Sequence, residues 1–340
     1  MRSFEAVRSP KKSLVEAALE RLAGNARNCR LCPRECGVDR QAGELGYCGA
    51  DHSPRISHAL LHLGEEPVLS GVSDCGRDRD GSKGRRRGSG TLFFSGCHLK
   101  CVYCQNHQIS QEGAGYDLTE EALARSMLDL EARGAVNINL VSPSHMLLPI
   151  LAALRIALDE GLSLPIVYNC SGYESEQVLR SLEGIVDVYL PDLKYASPLL
   201  AERLSGAPDY FEKAKAALIE MYCQQPVLEI GPDGHALRGM IVRHLVLPGQ
   251  VSDSLRVLGW LGRQLQPSVG VSIMSQFIPC FNAPQDLSRT LEAREYRRVL
   301  ERAEQMGFDF LFVQPDPFAR GEHRDPDFSR KQPFDWRDRK

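Results

Sequence analysis

Thr91-Leu92-Phe93-Phe94-Ser95-Gly96-Cys97-His98-Leu99-Lys100-Cys101-Val102-Tyr103-Cys104-Gln105-Asn106 is the stretch whose reading decides the fold. It opens with an apolar, β-prone run and turns at a glycine. Three cysteines follow at C-x3-C-x2-C spacing. Three thiolates on one short loop can hold three irons of a cubane cluster and leave the fourth iron open. Structural and electron-transfer clusters normally take cysteine on all four. An open iron beside a strand end therefore reads as a reaction site. Cysteine accounts for 11 of the 340 residues, and by composition alone the odds of this double spacing arising from at least one of them are roughly one in a hundred. Two blander readings stand beside it: three unrelated buried thiols, or a zinc loop that takes His98 or His107 as its fourth ligand.

Working outward, Ser95 to Asn106 resembles the signature of the radical SAM superfamily, and within it the pyruvate formate-lyase activating enzyme-related subfamily. Asn137-Ile138-Asn139-Leu140-Val141, Pro165-Ile166-Val167-Tyr168-Asn169, Tyr189-Leu190-Pro191-Asp192-Leu193-Lys194-Tyr195 and Val242-Arg243-His244-Leu245-Val246-Leu247-Pro248-Gly249 carry the likeness further, so that it runs from about Cys29 to about Gln314. The resemblance implies a [4Fe–4S] cluster on Cys97, Cys101 and Cys104 and S-adenosylmethionine as cofactor. It implies reductive cleavage of that cofactor to a 5′-deoxyadenosyl radical that abstracts hydrogen from a substrate. A one-electron donor, flavodoxin or ferredoxin, is then the expected partner. A glycyl-radical protein is one candidate substrate; a small molecule or peptide is equally open.

The bulk numbers fit an ordinary globular chain, with 43% hydrophobic residues, 25% charged residues and a formal net charge of −3. That balance argues against nucleic acid as the main partner. No apolar stretch approaches the ~20 residues needed to span a bilayer. Arg2, Lys11 and Lys12 are not followed by an apolar signal region. Cysteines without an export signal point to metal or redox chemistry in a reducing compartment, so a cytoplasmic location is expected.

Five segments are expected along the chain. Residues 1–28 form an N-terminal helix, with Leu14, Ala18 and Leu22 at helical spacing. Residues 29–70 form a Cys-rich metal-binding module. Residues 71–90, Gly-rich and including Arg85-Arg86-Arg87, read as a solvated loop, with docking of an acidic partner as the alternative. Residues 91–315 form the barrel, and 316–340 a polar, extended or disordered tail. Within 91–315, β-rich runs at 91–95, 137–142, 165–169, 186–191, 241–247, 269–274 and 309–313 alternate with amphipathic stretches such as 119–133, 146–160, 208–223 and 290–306. Such repeats imply an α/β fold with a parallel sheet covered by helices. Open sheet and partial barrel are indistinguishable by this pattern; the resemblance implies a partial (β/α)6 barrel.

Ligands of parallel α/β folds sit at the carboxyl ends of strands. Polar residues gather there: Ser142 and Ser144, Asn169, Asp192 and Lys194, Gln276, and Gln314. Asp192 and Lys194 share a face by period-two alternation, as a structural salt bridge or as partners for the amino and carboxylate groups of S-adenosylmethionine. Arg243 and His244 must face opposite sides; the resemblance puts Arg243 inward and leaves His244 structural. Tyr103 reads either as an aromatic near the adenine or as loop packing. The Gly-Gly-Glu-Pro-like run that many superfamily members carry after the second strand is replaced here by Val141-Ser142-Pro143-Ser144-His145, making Ser142 and Ser144 the substitutes. The similar Gly64-Glu65-Glu66-Pro67 precedes the cluster loop and is read as unrelated to the site.

Cys29, Cys32, Cys36 and Cys48 form a second group, C-x2-C-x3-C-x11-C, among glycines that permit tight turns. Structural zinc, a second Fe–S cluster and no metal all remain open. Cys75, Cys170, Cys223 and Cys280 read as isolated thiols. Two other classes compete with a radical enzyme: a non-catalytic Fe–S electron-transfer or redox-sensing protein, and a zinc-dependent nucleic-acid-binding module.

Overall fold

The computed structural model describes residues 5–71, 87–265, 268–314 and 325–335, with side chains from residue 10 onward. Among the described residues, ten strands form one sheet. They are β1 (Arg55–His62), β2 (Gly88–Phe94), β3 (Tyr116–Asp117), β4 (Ala135–Val141), β5 (Ile166–Cys170), β6 (Val188–Pro191), β7 (Glu229–Ile230), β8 (Ala236–Leu245), β9 (Gly270–Met274) and β10 (Phe310–Val313). The order β10-β9-β8-β6-β5-β4-β2-β1-β3, with β7 beside β8, is parallel from β2 to β10 and antiparallel where β1, β3 and β7 join. The parallel part thus has seven strands, one more than six β–α repeats supply.

The helices are α1 (Glu5–Leu22), α2 (Pro67–Ser70), α3 (His107–Ser110), α4 (Glu120–Ala132), α5 (Leu147–Asp159), α6 (Glu176–Arg180), α7 (Pro198–Ser205), α8 (Tyr210–Gln224), α9 (Val251–Gln264) and α10 (Ala293–Glu304). Local chemistry sets several ends. Thr119 caps α4 by accepting from Ala122 N–H, with Glu120 and Glu121 in the first turn favouring the helix dipole. Ser197 and Pro198 start α7, and Gly206 ends it in the left-handed conformation. α5 is apolar nearly all round because α4 and α1 pack against it. Among the described residues, no helix is long and apolar enough to cross a membrane.

The parallel strands present one face to these helices and the other to a concave lumen. Phe94, Leu140, Tyr168, Tyr189, Val242 and Ile273 join the main core. Val167, Val188, Leu190, Ile241, Phe310 and Phe312 pack around Leu69 of α2 as a separate apolar cluster. Because β1 runs antiparallel to β2, with His62 opposite Ser89, it delivers the chain to the amino ends of the parallel strands. From there α2 enters the lumen as a plug. Asn137 Nδ2 donates to Leu69 O at 2.8 Å, and Ser89 Oγ donates to Asn137 Oδ1 at 2.7 Å.

Three expected boundaries change. Residues 29–70 are not one module: 55–62 is a sheet strand, and 63–70 closes the barrel floor. Of the basic loop, residues 72–86, with Cys75 and Arg85-Arg86, lie outside the described residues, while Gly88–Gly90 already belong to β2. In the tail, 325–335 is packed: Phe328 is 4% exposed and lies 5.3 Å from the Phe93 ring, and Phe334 lies 4.3 Å from the His62 ring. These aromatics lie on the inner side of β1 and β2, where the sequence pattern, rich in Arg, Asp and Pro, gave no sign of burial. The rest of 316–340 lies outside the described residues.

Leu69 is fully buried at the centre of the plug cluster. Leu69→Ala is expected to cost about 2–5 kcal/mol by the lost transfer energy and the cavity left behind. Urea unfolding of the variant against the parent protein measures it.

Candidate active site

β2 ends in the cysteine loop, and the turn there leaves no room for a side chain at Gly96. Its φ is +85°, and a Cβ would lie 2.7 Å from Cys48 O. Cys97, Cys101 and Cys104 all line one cavity of about 610 Å³. Hydrogen bonds reach each sulfur: Leu99 N–H to Cys97 Sγ (3.3 Å), Ser205 Oγ–H to Cys101 Sγ (3.1 Å), and Ser110 Oγ with Cys104 Sγ (3.3 Å). Burial pushes the Cys97 thiol up, and that of Cys104 to about 12. The bare thiols of Cys97 and Cys104 hold their protons, and metal coordination is what would remove them. Three soft sulfur donors on one cavity wall fit an iron–sulfur cluster with one open iron. Among the described residues, no three His, Cys, Asp or Glu side chains are gathered as ligands of a single ion.

The zinc alternative loses its proposed fourth ligand. His98 is buried with Nε2 2.8 Å from Tyr173 O, and His107 pairs with Glu112 at 2.9 Å and stacks on Phe281. Neither lines the cavity.

Opposite the loop, β6 is prolonged past Pro191 by a bridge between Asp192 and Arg243. Gly172, at φ +77°, lets Asp192 O approach to 2.0 Å from where a Cβ would stand, so no other residue fits there unstrained. The Tyr210 hydroxyl donates to Ser171 O (2.8 Å) and accepts from Lys194 N–H (2.9 Å). This clamp presents Asp192 and Lys194 together to the cavity, with Nζ 2.5 Å from Oδ2. Burial alone would lower the Lys194 pKa, but Asp192 holds it well above the usual range.

Ser142, Asn169, Gln276 and Gln314 also line the cavity. Gln314 Nε2 donates to Gln276 Oε1 at 2.8 Å, which pins both. Ser144 does not reach it. Ser142 takes φ +57°, Pro143 follows, and the next turn carries Ser144 into the core at 0% exposure. Tyr103 lines the cavity, but its hydroxyl is 2.6 Å from that of Tyr195, which lies 2.8 Å from Ser205 Oγ. That chain ends at Cys101, so Tyr103 braces the loop. His244 faces away, with Nδ1 2.7 Å from Leu193 O.

The largest correction concerns Gly64-Glu65-Glu66-Pro67. Although it precedes the loop in the chain, all four residues line the same cavity. Arg243 Nε donates to Glu66 Oε1 at 2.9 Å, and its Nη2 bonds both Glu65 and Glu66; Asn139 Nδ2 donates to Glu65 Oε1 at 2.9 Å. Both carboxylates are 6% exposed. Burial would push the Glu65 pKa up, but Arg243 holds it below the ordinary range. Arg243 therefore faces inward yet is already claimed, and a ligand carboxylate brought to it would meet two anions. Two adjacent acids bracketed by Gly64 and Pro67, just past an apolar strand, were the available signal. Nothing in their spacing pointed to an arginine 177 residues away.

The strand end beneath the loop is held by a buried histidine. His145 Nε2 lies 2.7 Å from Ser95 O, and burial lowers its pKa to about 4. The neutral form is therefore the folded form. Its contribution is complete above pH ~6.5, the unfolded value, and drains away as pH falls from there to about 4. His145→Gln, unable to titrate, is expected to lose less stability over that window, by on the order of 3 kcal/mol. Urea unfolding of both proteins at pH 7 and pH 4.5 measures the difference.

The chain is 29% identical over 313 residues, 89% of its length and 82% of the relative's, to the uncharacterized protein MJ0674 of Methanocaldococcus jannaschii. It is 23% identical over 313 residues, 89% of its length and 86% of the relative's, to the uncharacterized protein MJ0808 of the same organism. Among solved structures, methylornithine synthase (PylB) aligns with a TM-score of 0.42 and 15% identity, over 66% of this chain and 71% of that one. The family model of the radical SAM superfamily matches residues 91–222, from β2 and the cysteine loop through β6 to α8. The segment similar to the radical SAM superfamily thus holds the cysteine loop together with Asn169, Asp192 and Lys194.

Proposed function

We propose that this protein is a radical SAM enzyme that abstracts a hydrogen atom from a small-molecule substrate held in the barrel cavity. One observation carries the reading: the Cys97–Cys101–Cys104 loop, the Asp192–Lys194 pair and the Arg243–Glu65–Glu66 group open onto a single cavity. Its volume, about 610 Å³, falls within the ~300–1,000 Å³ of pockets that enclose organic ligands. Cys97, Cys101 and Cys104 would hold a [4Fe–4S] cluster, which with S-adenosylmethionine supplies one-electron cleavage of a carbon–sulfur bond and a 5′-deoxyadenosyl radical when both are bound. The chain does the rest. Asp192 and Lys194 offer one anion and one cation to a zwitterion, and Ser142 and Asn169 offer neutral donors and acceptors. Leu99, Phe277 and Phe312 give the wall an apolar surface that keeps water from a reactive carbon centre.

The preference for a small substrate rests on the packed segment 325–335. Pro326 and Phe334 line the cavity, and Phe328 and Phe334 are seated on Phe93. The loop of a glycyl-radical partner would meet that aromatic cluster at the cavity wall.

Anaerobic incubation of the iron-loaded, reduced protein with S-adenosylmethionine is expected to yield 5′-deoxyadenosine and methionine. Cys97→Ala should abolish the products, and Asp192→Asn or Lys194→Met should lower kcat/KM for the cofactor by roughly tenfold or more, the loss of about 1.4 kcal/mol of binding. No 5′-deoxyadenosine from fully loaded protein would sink the enzyme reading. Deuterium appearing in 5′-deoxyadenosine only with a labelled glycyl peptide or protein would replace the small substrate by a glycyl-radical partner.

A further inference from the structure

A second set of sulfurs lies directly behind the cysteine loop. Cys29, Cys32 and Cys48 are buried, Cys36 is exposed, and none is in a disulfide. Cys36 Sγ and Cys48 Sγ lie 3.2 and 3.4 Å from the point where a Cβ on Gly46 would stand, so the two sulfurs flank this glycine closely. Arg40, itself 3% exposed, donates from Nε to Cys29 Sγ (3.0 Å) and from Nη2 to Cys48 Sγ (3.2 Å). The N–H groups of Leu31 and Arg34, each two residues on, face the sulfurs of Cys29 and Cys32. Leu99 N–H does the same for Cys97 in the first loop. Three buried sulfurs, those of Cys29, Cys32 and Cys48, thus face N–H donors that would stabilise them as thiolate ligands.

We propose that Cys29, Cys32, Cys36 and Cys48 bind a second iron–sulfur cluster that passes single electrons to the site on the Cys97 loop. This rests on the reading of that loop as a cluster site. Two observations favour iron–sulfur over a zinc staple. The segment is already fastened to the barrel without metal: Arg34 donates to His98 O, Ser205 O and Gly206 O, and Arg40 to Asp51 O and His145 O. The two cysteine groups also touch ligand to ligand, Cys97 N–H donating to Cys48 O at 3.2 Å. The route has a solvent end at Cys36 and a buried end at the cavity. An external low-potential iron–sulfur or flavin protein is oxidised by one electron as the second cluster is reduced. That cluster returns to its oxidised state as the first gains the electron, and no proton or bond need change.

The test uses the full chain reconstituted anaerobically with iron and sulfide, in three forms: unaltered, with Cys97, Cys101 and Cys104 all replaced by Ala, and with the exposed Cys36→Ala alone. Iron, acid-labile sulfide and zinc are measured, followed by the electron paramagnetic resonance of dithionite-reduced samples. The triple variant is expected to keep roughly half the iron and sulfide, with a reduced-cluster signal. Cys36→Ala, whose side chain leaves the core untouched, is expected to lose or alter that signal and to slow reduction of the remaining cluster by flavodoxin severalfold more than reduction by dithionite. A triple variant without iron, or one with zinc and no sulfide, overturns the proposal, as do identical iron content and reduction rates for Cys36→Ala and the unaltered protein. Failure of the unaltered protein to cleave S-adenosylmethionine, with iron still bound by the triple variant, would count against the proposed enzyme activity alone.

Discussion

A curved sheet of parallel strands must fill its own concave face. Helices cover the convex side, but the lumen has to be packed by whatever the chain can bring into it. Here the lower half is dry: Leu69 and its neighbours from β5, β6, β8 and β10 exclude solvent. Above them the filling stops being apolar. Arg243, Glu65 and Glu66 make a charged layer that only mutual pairing can stabilise. Above that layer the lumen is left open, and the strands end in the residues that would meet a ligand. The position of the cavity follows from where the plug ends.

The strand ends were legible because period-two alternation is local: Val188, Leu190 and Asp192 share a face whatever the rest of the fold does. The cysteine loop was legible because its spacing is improbable and its chemistry narrow. Helices such as α5 and α10 followed from apolar periodicity, and their observed ends fall within a few residues of the expected ones. What escaped was long-range. The antiparallel pairing of β1 with β2 depends on a register that no single segment encodes. The Glu65–Arg243 contact follows from that pairing, so judging Gly64-Glu65-Glu66-Pro67 by its place in the chain gave the wrong side. Ser144 failed for the opposite reason: it was assigned by nearness to a strand end, but one left-handed residue and a proline redirect the backbone within two positions.

The charge arrangement limits how ligands can sit. Asp192 and Lys194 are balanced, whereas Glu65 and Glu66 outnumber Arg243. The cavity is thus neutral at the wall facing the cysteine loop and carries surplus negative charge at its floor. An anionic group is better received near Lys194 than deep in the barrel, which orients any zwitterion before a single hydrogen bond is counted.

Phe328 and Phe334 lie close to the end of the sequence, yet they cover residues of β1 and β2 near its beginning. During synthesis the cysteine loop, the charged floor and the wall strands all emerge before this segment does. Until it does, His62 and Phe93 on β1 and β2 lack their aromatic cover. Completing that wall is a long-range step, as the His58 Nε2 contact with Arg330 O, 272 residues apart, also shows.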